Sequence, residues 1–177
     1  MTYVALLRGV NLGANRRLAM ADLRKWLGDL GYGQVRTHLQ SGNAVFTSDK
    51  PAATVAREIE ERIGQETGSS VPCLIRTNEE LRKVLDADPF AGVATDPARY
   101  VVAFLSDRPA KPRLATLDPA AFEPERWHIG DREIYLWHPN GIHDSKLSRE
   151  LSERNLGVVA TARNWNTVRK LAELSVE

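Results

Sequence analysis

The sequence predicts a mixed α+β fold of two tandem units, each with the element order β-α-β-β-α-β followed by an extra helix. Three observations predict it. Short apolar runs of strand length alternate with segments whose apolar residues recur at helical spacing. An interval with two prolines, Gly92 and several alanines, 86–99, separates two stretches in which the same order is read. The 177 residues suffice for one domain or two small ones, with a core that needs no disulfide or metal staple. The repeated order is the split βαβ arrangement of ferredoxin-like units. The units are predicted at 1–88 and 100–177, the second carrying the C-terminal helix, with 86–99 as the linker.

In the first unit, Val4–Leu7 is a continuous apolar run and reads as a buried strand. Gly9 to Leu18 is a loop with two glycines and two asparagines. Leu23, Trp26, Leu27 and Leu30 form a helical stripe that Gly31 stops. Val35–Gln40 and Ala44–Ser48 flank Ser41-Gly42-Asn43, a hairpin turn, because Gly and Asn tolerate positive φ. Pro51 opens a helix carrying Val55, Ile59 and Ile63. Val71–Arg76 is a strand, and Thr77-Asn78-Glu79-Glu80 is a capping box for a helix with Leu81, Val84 and Leu85.

The second unit restarts the order. Val101–Leu105 is a buried strand, and Lys111–Phe122 reads as a helix bounded by prolines. Arg126–Ile129 and Glu133–His138 flank a Gly130-Asp131 turn. Asp144 or Ser145 caps a helix carrying Leu147 and Leu151. Val158–Ala160 is a short strand, and Asn164 caps a last helix with Trp165, Val168, Leu171 and Ala172. Tyr135 and Trp137 share one sheet face and read as packing residues, since no RNP-type Gly-Phe motif accompanies them.

Composition narrows the function classes. The chain has 24 Lys+Arg against 23 Asp+Glu, a net charge of +1, which argues against extended nucleic acid as a partner. That average hides a gradient: residues 1–43 carry +4 and residues 44–98 carry −4. No apolar run approaches the roughly 20 residues that span a bilayer, so no membrane association is expected. Met1-Thr2-Tyr3-Val4 has no basic n-region and no cleavage site, and a cytoplasmic protein is the expectation. The single Cys73 excludes an internal disulfide and a cysteine-based zinc site, and reads as a small core residue.

Three stretches stand out: Leu7-Arg8-Gly9-Val10-Asn11-Leu12-Gly13, Gln40-Ser41-Gly42-Asn43, and Thr161-Ala162-Arg163-Asn164-Trp165-Asn166-Thr167. In a split βαβ unit the end of strand 1 and the turn between strands 2 and 3 fall on one sheet edge. Arg8, Asn11, Arg16, Arg17, Ser41 and Asn43 should therefore converge there. Arginines and loop N–H groups suit a phosphate or carboxylate, and Asn and Ser orient a polar ligand. The same glycines and asparagines also satisfy plain turn geometry. Arg163, Asn164 and Trp165 would complete the site if the two units meet there; otherwise Asn164 is a cap, Trp165 is core and Arg163 has a structural partner.

Other chemistries are poorly supported. No Gly-Lys-Ser/Thr follows Gly13 and no G-x-G-x-x-G occurs there, so no cofactor is implied. The three motifs contain no Asp or Glu for acid–base work. Ser41 beside His38 lacks a nucleophile elbow. His138, His143 and Asp144 form only a loose set without metal-ligand spacing.

The three motifs, with Met20, Leu23 and Arg24 as a Met-x-x-Leu-Arg on the first helix, resemble those of the bacterial DUF1697 family over nearly the whole chain. Ala14-Asn15 departs from it where a second glycine is frequent. The resemblance implies a duplication of ferredoxin-like units and no particular reaction. The functional expectation is a small anionic ligand, phosphate or nucleotide-like, at the Arg8/Ser41 edge. The alternative is a structural or protein-interaction module whose motifs serve interunit packing and homodimerisation.

Overall fold

The structure, a computed structural model, describes residues 1–13, 17–110 and 114–176. In the first half, β1 (Thr2–Leu7), α1 (Met20–Asp29), β2 (Gly33–His38), β3 (Asn43–Thr47), α2 (Ala52–Thr67), β4 (Cys73–Thr77) and α3 (Asn78–Ala87) follow one another. The second half holds β5 (Tyr100–Leu105), a 3-10 helix (Pro119–Phe122), β6 (Arg126–Ile129), β7 (Glu133–Trp137), α4 (Lys146–Glu150), α5 (Glu153–Leu156), β8 (Ala160–Asn164) and α6 (Trp165–Leu174). The fold is thus mixed α+β, with two four-stranded antiparallel sheets.

The sheets share one order. The first runs β2-β3-β1-β4 and the second β6-β7-β5-β8. Because β1 and β2 are both antiparallel to β3, they are parallel to each other with β3 between them. Leu6 lies opposite Asn43, so the end of β1 abuts the start of β3. The contacts divide the chain into Met1–Lys83 with the chain end from Lys170, and Val84–Arg169. The sequence boundary at 86–99 and the placement of the whole last helix in the second unit differ from this grouping. Inside the first unit, Asn78 Nδ2 donates to Ala172 O (2.9 Å) and Ser175 Oγ (2.7 Å).

Each unit builds its core from alternate strand residues and the apolar residues of two helices. In the first, Tyr3, Ala5, Leu7 and Phe46 pack with Leu23 and Leu27 of α1 and Val55, Ile59 and Ile63 of α2. In the second, Val101, Leu105, Ile134 and Leu136 pack with Leu147, Leu151 and Leu156. The opposite faces are buried too: Val4, Leu6 and Val45 in one sheet, Val102, Phe104 and Tyr135 in the other. Burial on both faces is why Val4–Leu7 and Val101–Leu105 read as unbroken apolar runs rather than alternating ones.

Thr77 and Glu80 make the reciprocal capping box, Thr77 N donating to Glu80 Oε2 (2.8 Å) and Glu80 N to Thr77 Oγ1 (3.2 Å). Ser145, not Asp144, caps α4, its Oγ accepting from Ser148 N at 3.0 Å. Asn164 Oδ1 accepts from Thr167 N (2.9 Å) at the start of α6. Of the helix expected over 111–122, residues 111–113 lie outside the described residues. The described remainder ends in the 3-10 helix at Pro119–Phe122, started by Asp118, whose Oδ1 accepts from Ala120 N (3.0 Å). The short strand read at 158–160 is instead Ala160–Asn164, with Thr161, Ala162 and Arg163 opposite Phe104, Ala103 and Val102. Pairing with β5 outweighs the polar, loop-like composition of those residues. No helix among the described residues is long and apolar enough to cross a membrane.

Candidate functional site

The end of β1 and the β2–β3 turn form one edge of the first unit. Leu7 N donates to Gly42 O (2.9 Å), and Arg8 N to Pro72 O (3.0 Å), so the chain leaves β1 pinned on both sides. Asn11, at a φ of +55°, then joins three segments through its side chain. Its Nδ2 donates to Leu18 O (2.9 Å) and to Gln40 O, and its Oδ1 accepts from Leu18 N (2.8 Å). Leu18 and the β2–β3 turn are thereby tied to Asn11. Asn11 tolerates this left-handed backbone better than most residues do.

Gly42 is required by space as well as by conformation. Its φ is +82°, and a Cβ there would lie 2.6 Å from Val10 Cγ2 and 2.8 Å from Leu7 Cβ. The turn therefore packs directly on the end of β1. Asn43, fully buried, donates from Nδ2 to His38 O (3.0 Å) and Ser41 Oγ (2.9 Å), closing the turn from inside. It belongs to β3 rather than to the tip of the turn. The positive φ expected near it falls at Leu39 (+59°) and Gly42.

These contacts sort the expected ligand residues. Asn11 and Asn43 spend both amide hydrogens on the protein frame, so the edge's polar ligand contacts rest with other groups. Arg8 is half-buried, while Arg17 and Ser41 are exposed. Arg16 lies outside the described residues. Burial, with the charge of Lys170 behind it, holds His38 below the ordinary imidazole range, and burial pushes the Cys73 thiol up. Composition alone did not flag Leu12 and Leu39, which stand 73% and 57% exposed on the two joined loops.

The third motif lies in the second unit. Arg163 sits on β8 rather than at a helix start, is 8% exposed, and donates through Nη1 to Thr161 Oγ1 (2.7 Å) and Ala162 O (2.9 Å). Burial brings its pKa down to about 10, which leaves it charged at neutral pH. Trp165 stacks on Tyr100, with centroids 4.3 Å apart and 5° between planes, and leans on Tyr135. Tyr135 also donates from its hydroxyl to Val84 O (3.0 Å). Asn164 is the helix cap described above. These side chains serve the packing of their own unit.

The family model described as "Protein of unknown function (DUF1697)" matches residues 1–135. The chain belongs to the DUF1697 family. The matched stretch contains the Arg8–Gly13 and Gln40–Asn43 motifs and ends before the Thr161–Thr167 motif. A solved structure, the conserved bacterial protein SP0830 from Streptococcus pneumoniae, is similar in fold, with a TM-score of 0.73 at 22% identity over 99% of this chain and 98% of that one. No curated protein matches significantly.

This DUF1697 chain also contains an ionisable group that motif reading did not single out. Glu125 bonds His138 Nδ1 and accepts from Ser145 Oγ (2.6 Å), both through Oε2. The signal in the sequence was faint, because the three residues are far apart and share no motif. Among the described residues, no group of three or more His, Cys, Asp or Glu is placed to hold a metal ion.

Proposed function

We propose that each unit of this DUF1697 protein is a ferredoxin-like unit and that the Arg8–Arg17 and Leu39–Ser41 edge of the first binds a small anionic ligand carrying phosphate or carboxylate. The sheet order, with antiparallel β3 between parallel β1 and β2, supports the first part. The observation that carries the second is the Asn11 side chain. By bonding both Leu18 and Gln40 it holds the neighbours of Arg17 and Ser41 on one frame. Groups held in place in advance lose less entropy on binding. Arg8, Arg17 and Ser41 are the ligand contacts in this reading, and arginine suits a planar or tetrahedral oxyanion through paired N–H bonds.

Thermal unfolding in the presence of inorganic phosphate, nucleotides and dicarboxylates tests it. A ligand at 100 times its Kd stabilises by about 2.7 kcal/mol. For a chain of this size that raises Tm by roughly 5–10 °C. R17A is expected to remove most of that rise while leaving the ligand-free Tm within about 1–2 °C, because an exposed side chain contributes little to stability. A ligand-induced rise of equal size in R17A and R8A would sink the reading. A second reading, a protein-interaction edge, is favoured by exposed Leu12 and Leu39. A mass that grows with protein concentration in wild type and not in L12S would support it over the first.

A further inference from the structure

A carboxylate in the second unit is held in a way that packing does not explain. A cavity of about 310 Å³ is walled by Phe122, Pro124, Glu125, Asn140, His143 and Lys146, among others. The Glu125 side chain is 15% exposed, and Oε2 carries both of its side-chain hydrogen bonds, to His138 Nδ1 and from Ser145 Oγ. No hydrogen bond to Oε1 is made among the described residues. The carboxylate is thus gripped through one oxygen, by the residue after β7 and by the residue that caps α4, and Glu125 lines the cavity.

His138 makes the arrangement harder to read as simple packing. It has no exposure, and its Nε2 is buried with no hydrogen-bond partner among the described residues. A half-satisfied buried imidazole opposes folding, and an unsatisfied buried group calls for an explanation outside stability. What this imidazole secures is the direction of Glu125. Around the cavity, Glu123, Glu125 and Asp144 stand against one lysine, Lys146, so the local field favours positive charge. The volume lies at the small end of ligand pockets, which run from roughly 300 to 1,000 Å³.

We infer that this cavity is a binding site for a small organic cation, an alkylammonium or guanidinium group donating to Glu125 Oε1. Ser145 and His138 are positioning residues that aim the carboxylate. The preformed acceptor and the surrounding carboxylates select a cationic donor, and the volume selects a molecule nearer to a diamine than to a nucleotide. This site is independent of the Arg8/Ser41 edge.

Calorimetric titration of the full chain with putrescine, with agmatine and with magnesium chloride, each in matched ionic strength, tests the inference. The expected result is saturable binding of one or both amines to wild type, a loss of at least tenfold in E125Q, and unchanged binding in R17A. Binding by magnesium in place of the amines, equal amine binding in E125Q, or no amine binding to wild type would each overturn it. Should E125Q fail to fold by circular dichroism, S145A takes its place: amine affinity several-fold weaker than wild type is expected, and equal affinity overturns the inference.

Discussion

Asn11 is the residue on which the edge of the first unit turns. Its side chain makes three hydrogen bonds to backbone groups of two segments, and each such bond is worth about 0.5–1.5 kcal/mol net. N11A is therefore expected to destabilise the protein by about 2–3 kcal/mol, lowering Tm by roughly 4–12 °C in a thermal melt. An unchanged Tm would mean that the two loops are held by something else. From sequence, Asn11 and Asn43 could be ligand donors or loop braces, since an amide serves either use and only its neighbours decide. Gly42 was easier to read, because a glycine beside Ser41 and Asn43 already signals a turn. The clash of a Cβ with Val10 and Leu7 was not legible, because it depends on a partner more than thirty positions away in sequence. In the sequence, Leu39 falls near the end of a strand. Its left-handed backbone and exposure emerge only with the turn that contains it.

At the scale of the element, the segments that were legible carried their own reasons. The α2 stripe of Val55, Ile59 and Ile63 is buried as its spacing required, and the Thr77–Glu80 box closes reciprocally at the start of α3. Two elements were legible only in part. Of the stretch read as one helix over 111–122, the described residues hold a helical Leu114 and a separate 3-10 helix at Pro119–Phe122. The strand read at 158–160 is shifted to Ala160–Asn164, because β5 supplies partners that no local pattern announces. The caps give a direct check. N164A removes the side-chain acceptor for Thr167 N and is expected to destabilise by about 0.5–2 kcal/mol in urea denaturation, with N164S or N164D restoring most of it. If N164S is as unstable as N164A, the residue acts through something other than capping.

Over the whole molecule, the two halves repeat a device that no residue-level repeat reveals. Arg76 is the penultimate residue of β4 and lies opposite Val4 of β1; Arg163 is the penultimate residue of β8 and lies opposite Val102 of β5. Both are buried, and each donates through Nη1 to the carbonyl of the residue before it, Ile75 and Ala162 at 3.0 and 2.9 Å. The repeated element order was readable because strand and helix periodicities are local and need no residue-level repeat. The paired arginines were not, because one stands in an apolar strand and the other in a polar motif. Beyond that shared frame the units differ in what they offer. The first offers an edge with Arg8, Arg17 and exposed leucines, while the second holds a cavity with a gripped carboxylate. Anion binding at that first edge is tested most directly by backbone amide chemical shifts recorded while phosphate and then a nucleotide are titrated into the labelled chain. Saturable shifts concentrated at residues 8–13 and 39–43 are the predicted result. Shifts absent up to millimolar ligand, or gathered elsewhere on the chain, would contradict it.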